Sequence, residues 1–321
     1  MSNHIWKQKK RPIYCFCFVI IVALIMAAGL YQTTLAAGAN QKTFKSPEEA
    51  VKALIDAVKA NDTKELLAIL GPEGKDIISS GDEVADKETR ERVAQKYEQK
   101  NKLVWEGDKK VILDIGTDDW PMPIPVVKKG DTWGFDTKAG KEEILSRRIG
   151  RNELDVIQVC LAYVDAQREY ALKDRDGDGI RKYAQRFGSE KGKKNGLYWE
   201  AKEGEEQSPL GPLAAEAVKE GYILKKAGGN PTPYHGYYYK IITAQGKNAP
   251  GGAYDYLVKG KMIGGFAMVA YPAAYGNSGV MTFMVNQDGV VYQKDLGKDT
   301  EKIASVMKKF DPDKTWEKAQ K

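Results

Sequence analysis

The stretch 46-SPEEAVKALIDAVKANDTKELLAIL-70 decides the reading of the first third of the chain. Ser46 is placed to cap a helix, Pro47 suits its first position, and Glu49 completes a capping box. Ala50, Val51, Leu54, Ile55 and Val58 then recur at helical spacing and form one apolar stripe. Asp62 opens a second, shorter helix carrying Leu66, Leu67 and Leu70, which Gly71-Pro72 ends. Working outward, 82–99 reads as a polar helix. Lys102–Trp105, Lys110–Ile115 and 124–136 read as strands, the last folded into a hairpin at Lys129-Gly130-Asp131. Helices followed by a curved antiparallel sheet predict an α+β cone over 40–140.

Upstream, residues 1–39 have the three parts of a signal peptide: a basic start (Lys7, Lys9, Lys10, Arg11), an uncharged run Ile13–Leu30, and small residues up to Ala37-Gly38-Ala39. The expectation is cleavage before Asn40, with Thr34-Leu35-Ala36 as a nearby second site. An uncleaved inner-membrane anchor through 13–30 is the alternative, because that run approaches a membrane span. Export to the periplasm or beyond follows from either processing. The chain of 321 residues has a net charge of +6. The leader holds four of those cations and no acid, so the remainder stands at +2. That balance argues against a nucleic-acid partner and leaves the membrane as a partner only through an uncleaved leader. Two of the three cysteines also lie in the leader. Cys160 stands alone after it, within the apolar run 156–162, and reads as a small buried hydrophobe.

The middle and last thirds divide by composition. A helical connector is expected over 141–187, with a long helix from about 141 to 173 interrupted near Gly150 and a short helix at 180–187. Residues 188–212, rich in Gly, Lys and Pro, read as a long surface loop. A helix is expected at 213–220 and another at 300–309. The portion 188–321 is otherwise β-rich, through "GYYYKIIT" (236–243), "GGFAMVAYP" (264–272), "GVMTFMVN" (279–286) and "GVVYQKDL" (289–296), with a turn at Asn286–Gly289. The fold class is therefore α+β: N-terminal helices on a curved antiparallel sheet, a central long helix, and a C-terminal antiparallel sheet with flanking helices.

Three resemblances attach to these blocks. The opening 46–70 and closing 126-VVKKGDTWGFD-136 of the first portion resemble a nuclear-transport-factor-2-like fold. This copy has no His, so the acid–base chemistry of that fold's catalytic members does not transfer. The run 266-FAMVAYPAAYGNSGVMTFMVNQDGVVYQKDLG-297 is similar to the sheet of type IV pilin-like and pseudopilin proteins, without the acid-bearing N-terminal helix through which pilins assemble. Taken together with 174-DRDGDGIRKYAQRF-187, 196-GLYWE-200 and 208-SPLGPL-213, the chain resembles the exported bacterial family called domain of unknown function 2950.

Candidate chemistry is sparse. Asp174, Asp176 and Asp178 have the spacing of positions 1, 3 and 5 of a calcium loop, with Gly179 at the sharp turn. Position 12 is Gln185 in place of the bidentate Glu, so weak calcium binding and a helix-capping acidic turn stand as alternatives. His235 is the sole histidine after the leader and the one catalytic candidate, as a general base. Gly276-Asn277-Ser278-Gly279 reads as a turn. Tyr198, Trp199, Tyr237 and Tyr239 are candidates for an aromatic ligand face, with core packing as the competing account. No other cofactor is expected. These readings point to a non-enzymatic binding or assembly module of the cell envelope, its partner an envelope protein or polymer. A periplasmic hydrolase using His235 and nearby carboxylates is the first alternative. A pilus- or secretion-associated component is the second.

Overall fold

In the computed structural model, residues 41–222 and 232–320 are described. The expected signal peptide and its cleavage site before Asn40 lie outside them. Ser46 caps helix α1 (Pro47–Lys59) by accepting the Glu49 amide at 3.2 Å, while the Glu49 carboxylate reaches back to the Lys45 amide at 3.0 Å. Asp62 accepts the Lys64 and Glu65 amides, both at 3.0 Å, and opens α2 (Thr63–Leu70). Gly71, at φ 73°, stops it. A single turn, α3 (Lys75–Ile78), leads to α4 (Glu83–Gln99), capped by Asp82.

Five antiparallel strands follow: β1 (Asn101–Trp105), β2 (Lys110–Ile115), β3 (Trp120–Pro121), β4 (Val126–Lys129) and β5 (Thr132–Phe135). Their order is β1-β2-β4-β5, with β3 on the far part of β2. Along β2, Val111, Leu113 and Ile115 are buried and alternate with partly exposed neighbours, as a strand with one face on a core requires. That face and the stripe of α1 enclose the first core with Leu66, Ile69, Trp133 and Phe135.

Helix α5 (Thr137–Tyr170) runs 34 residues without a break, so Gly150 does not interrupt it. Gly150 is exposed, with open space where a Cβ would stand, and costs about 1 kcal/mol of helix propensity. Packing at both ends of the helix outweighs this. Near its start Ile144 packs on the first core. Toward its end Val156, Cys160, Tyr163, Val164 and Tyr170 enter a second core. One rigid element of about 50 Å thus serves both.

The second core is built on a sheet of order β14-β13-β12-β11-β6. After α6 (Gly211–Lys219) these strands are β6 (Tyr237–Ile242), β11 (Ala267–Pro272), β12 (Met281–Asn286), β13 (Tyr292–Asp295) and β14 (Glu317–Lys318). Between β6 and β11, the short ladders β7 (Ala244–Gln245) with β8 (Tyr254–Asp255) and β9 (Leu257–Val258) with β10 (Lys261–Met262) form an excursion. All six residues of β11 are buried, as expected of a central strand covered on both faces. On one face Tyr237 meets Glu153 of α5. On the other, Lys240 donates to the carbonyls of Ser305 and Met307, just after α7 (Thr300–Ala304). That last helix ends five residues short of the expected 309, and the chain turns there to cover the sheet.

The helix expected at 180–187 does not form. The buried Gln167 side chain brackets Ala184, accepting its N–H and donating to its C=O, both at 2.8 Å, while Tyr183 N–H donates to Met262 C=O. Tertiary partners take the backbone groups that a helix would have used. No helix among the described residues is long and apolar enough to cross a membrane.

Candidate functional site

Asp82 is the origin of the site. One carboxylate oxygen caps α4 through the Ala85 amide at 3.2 Å. The other accepts the Tyr222 hydroxyl and the Gly236 amide, each at 2.9 Å. The residue is 1% exposed. Its carboxylate thus meets three donors at the N-terminal end of α4. The Tyr222 hydroxyl in turn accepts the His235 amide at 3.3 Å. A single acid therefore joins the first helical layer, the end of α6 and the entry to β6.

This network holds His235 in the left-handed region, φ 50°, followed by Gly236 at φ 74°. A Cβ at Gly236 would lie 2.6 Å from Asn152 Nδ2 and 2.9 Å from Ser278 Cβ, so only glycine fits there. The imidazole lies against Tyr234, centroids 4.0 Å apart and ring planes tilted by 49°. Its Nδ1 lies 3.6 Å from Asp155 of α5 and its Nε2 3.7 Å from Glu220 at the end of α6. Both separations exceed hydrogen-bond length, so the contacts are electrostatic. Burial pushes the carboxyls of Asp155 and Glu220 up, and the histidine draws both back only in part. Glu220 Oε2 is buried with no hydrogen-bond partner among the described residues.

An imidazole between two carboxyls can bind and pass a proton. The two acids face opposite ring nitrogens and do not share one coordination sphere. Among the described residues, no hydroxyl or thiol is hydrogen-bonded to the ring. Ser278 Oγ is engaged by Ala274, accepting its N–H at 2.9 Å and donating to its C=O at 3.3 Å. Cys160 lies in the core, where burial pushes its thiol up to about 12. Neither supplies an activated nucleophile.

Beside the Asp82 hub opens a cleft of about 550 Å³. Phe187, Tyr198, Leu210, Leu213, Tyr222 and Tyr234 give it an aromatic and aliphatic lining, with Asp82 and Glu83 as its charged residues. Size and lining match sites that take an apolar group and fix it with few polar contacts. Of the four aromatic candidates, Tyr198 lines this cleft. Trp199 is buried between the Arg175 and Lys194 cations, at 5.0 and 5.4 Å, and donates to Glu206 C=O. Tyr237 is fully buried and bonded to Met281 C=O, and the Tyr239 hydroxyl donates to Tyr234 C=O. Sequence reasoning missed Asp82, Asp155, Glu220, Tyr222 and Tyr234. Asp82 stands at the start of the polar helix read over 82–99, but no spacing pattern links these five.

The acidic loop is separate. Asp174, Asp176 and Asp178 bring ligand atoms within 4.8 Å of one another. Asp174 accepts the Gly177 and Gly179 amides at 3.0 and 2.7 Å, and Asp178 accepts the Ile180 amide at 3.0 Å. Lys182 bridges Asp176 and Asp178, and Lys261 of β10 meets Asp178 at 2.7 Å. Lys261 and then Lys182 hold the Asp178 carboxyl far below its ordinary value. Gln185 donates to Gly260 C=O and is turned to another task. Three carboxylates could hold a hard cation here, with the two lysines as its competitors.

No curated protein and no solved structure matches the chain. The model of one family, described as "Protein of unknown function (DUF2950)", spans residues 41–319, and the chain belongs to that family.

Proposed function

We propose that this protein is a non-enzymatic binding module of the bacterial envelope, whose cleft between Tyr198, Leu213 and Tyr234 receives an apolar or aromatic group of an envelope protein or polymer. The observation that carries the reading is a concave aromatic surface fixed by the buried Asp82–Tyr222–Gly236 network. Periplasmic or secreted location, after loss of a signal peptide, is part of the proposal. Calcium at Asp174, Asp176 and Asp178 would stiffen the loop that leads to Phe187 on the cleft wall.

The test is capture from envelope extract with wild type and Tyr198→Ala/Leu213→Ala side by side. The expected result is a ligand retained by the wild type and lost from the double variant. A ligand held equally by both would remove the cleft from the proposal.

One observation favours a second reading, a hydrolase: His235 stands between two carboxyls raised by burial. A substrate panel run against His235→Gln decides between them. Turnover that disappears in that variant, with no captured ligand, would replace the binding reading. A pilus- or secretion-associated role rests on the strand run 266–297 and would require co-purification with filament or secretion components.

A further inference from the structure

A second cavity, of about 190 Å³, lies within the first core and shares no lining residue with the aromatic cleft. Its wall is mainly apolar: Leu54, Leu66, Val93, Trp120, Met122 and Ile144. Three arginines interrupt that wall, Arg90 on α4 and Arg148 and Arg151 on α5, against one acid, Asp86. Among the described residues none of the three guanidinium groups has a carboxylate within 4.0 Å.

Their hydrogen bonds go to neutral acceptors. Arg148 donates to the carbonyls of Asp76 at 2.7 Å and Ile77 at 2.6 Å and to the Asn277 side chain. Arg90 donates to Ile78 C=O at 3.0 Å and to the Asn61 side chain. Arg151 makes no side-chain hydrogen bond among the described residues. Asp86 is itself occupied by the Ser80 amide at 2.9 Å. Arg148 is half-buried and Arg151 exposed at the cavity rim. Burial lowers both guanidinium groups, and the charges of Asp86 and Asp76 near Arg148 and of Asp155 and Glu88 near Arg151 offset it only in part. The half-buried Arg148 head is desolvated in part, and an anion that joins it there offsets that cost. Arg148 and Arg151 are i and i+3 on one helix, so their heads are neighbours.

We propose that this cavity binds a small monocarboxylate, its apolar body among Leu54, Met122 and Trp120 and its carboxylate at Arg148 and Arg151. The volume corresponds to about six waters, well below a drug-sized pocket. It suits a single ring or a short chain. Guanidinium pairs with carboxylate through two parallel N–H donors, which gives the head group its selectivity.

Benzoate is the probe, with benzyl alcohol and benzylamine as neutral and cationic counterparts of similar size. Each is titrated into the full protein while tryptophan emission is followed. The expected result is saturable binding of benzoate, with the other two at least tenfold weaker. Arg151→Gln should weaken benzoate at least tenfold, and Trp120→Phe should remove most of the emission change. The ligand series on the unaltered protein needs no variant to fold. No saturation by about 20 mM benzoate, equal binding of all three compounds, undiminished binding in Arg151→Gln, or an emission change that persists in Trp120→Phe would each overturn the proposal.

Discussion

The Tyr222 hydroxyl donates to the Asp82 carboxylate at 2.9 Å across 140 positions of sequence. That bond ties the cap of α4 to the end of α6, and the Gly236 amide completes it. The Asp82 carboxylate at the seam between the two cores is therefore buried and fully bonded, the condition under which such a network rigidifies a structure.

Asp82→Ala should lower stability by about 3 kcal/mol, since it removes a cap and strands two buried donors. Tyr222→Phe should cost less, about 1–2 kcal/mol, because Asp82 keeps its two amide partners and only the long 3.3 Å bond from the His235 amide is lost besides. Urea unfolding of both variants and their combination gives the coupling directly. Additive losses would mean that the two residues act independently.

Gly236→Ala should destabilise by more than about 2 kcal/mol. The positive φ and the approach of Asn152 and Ser278 act together at that position. Thermal unfolding reports the loss. Gly177→Ala, also at positive φ but with nothing within 4 Å of its Cβ, should cost less and separates steric crowding from backbone strain.

Glu206 gathers Lys173, Arg175 and Lys194 at 2.8, 2.8 and 2.9 Å. Lys173 first, then Arg175 and Lys194, hold its carboxyl at about 2, below the ordinary 4.5. A carboxyl depressed in the folded state adds stability above its unfolded value and loses it as pH falls toward the folded one. Glu206→Gln should thus be less stable at neutral pH, by no more than about 1 kcal/mol after solvent screening. The gap should close between pH 4.5 and 2. Denaturant titrations at stepped pH check the window; a constant gap down to pH 2 would mean that the Glu206 charge does not cause it.

Calcium at Asp174, Asp176 and Asp178 must displace Lys182 and Lys261. Binding to the wild type is expected near the millimolar range. Lys182→Ala/Lys261→Ala should bind at least tenfold more tightly, a gain of about 1.4 kcal/mol. Calorimetry at constant ionic strength measures both. Absence of heat in the double variant would leave the aspartates as lysine partners alone.

The local signals were all within a few residues of what they controlled. Ser46, Asp62 and Asp82 cap helices by reaching two or three residues ahead. The hairpin at Gly130 and the stripe of α1 likewise depend on near neighbours, and these the sequence determined by itself. The tertiary structure decided whatever depended on distant partners. Residues 180–187 have helical composition, yet Gln167 and Met262 claim their backbone groups. For Trp199 the sequence leaves a ligand face and core packing open, and the structure sets the ring between the cations of Arg175 and Lys194. Asp155, Glu220 and His235 come from three separate elements and meet only because α5 spans both cores and α6 ends beside it. Propensity and capping act over a single helical turn, whereas a site assembled across a seam depends on how whole elements pack.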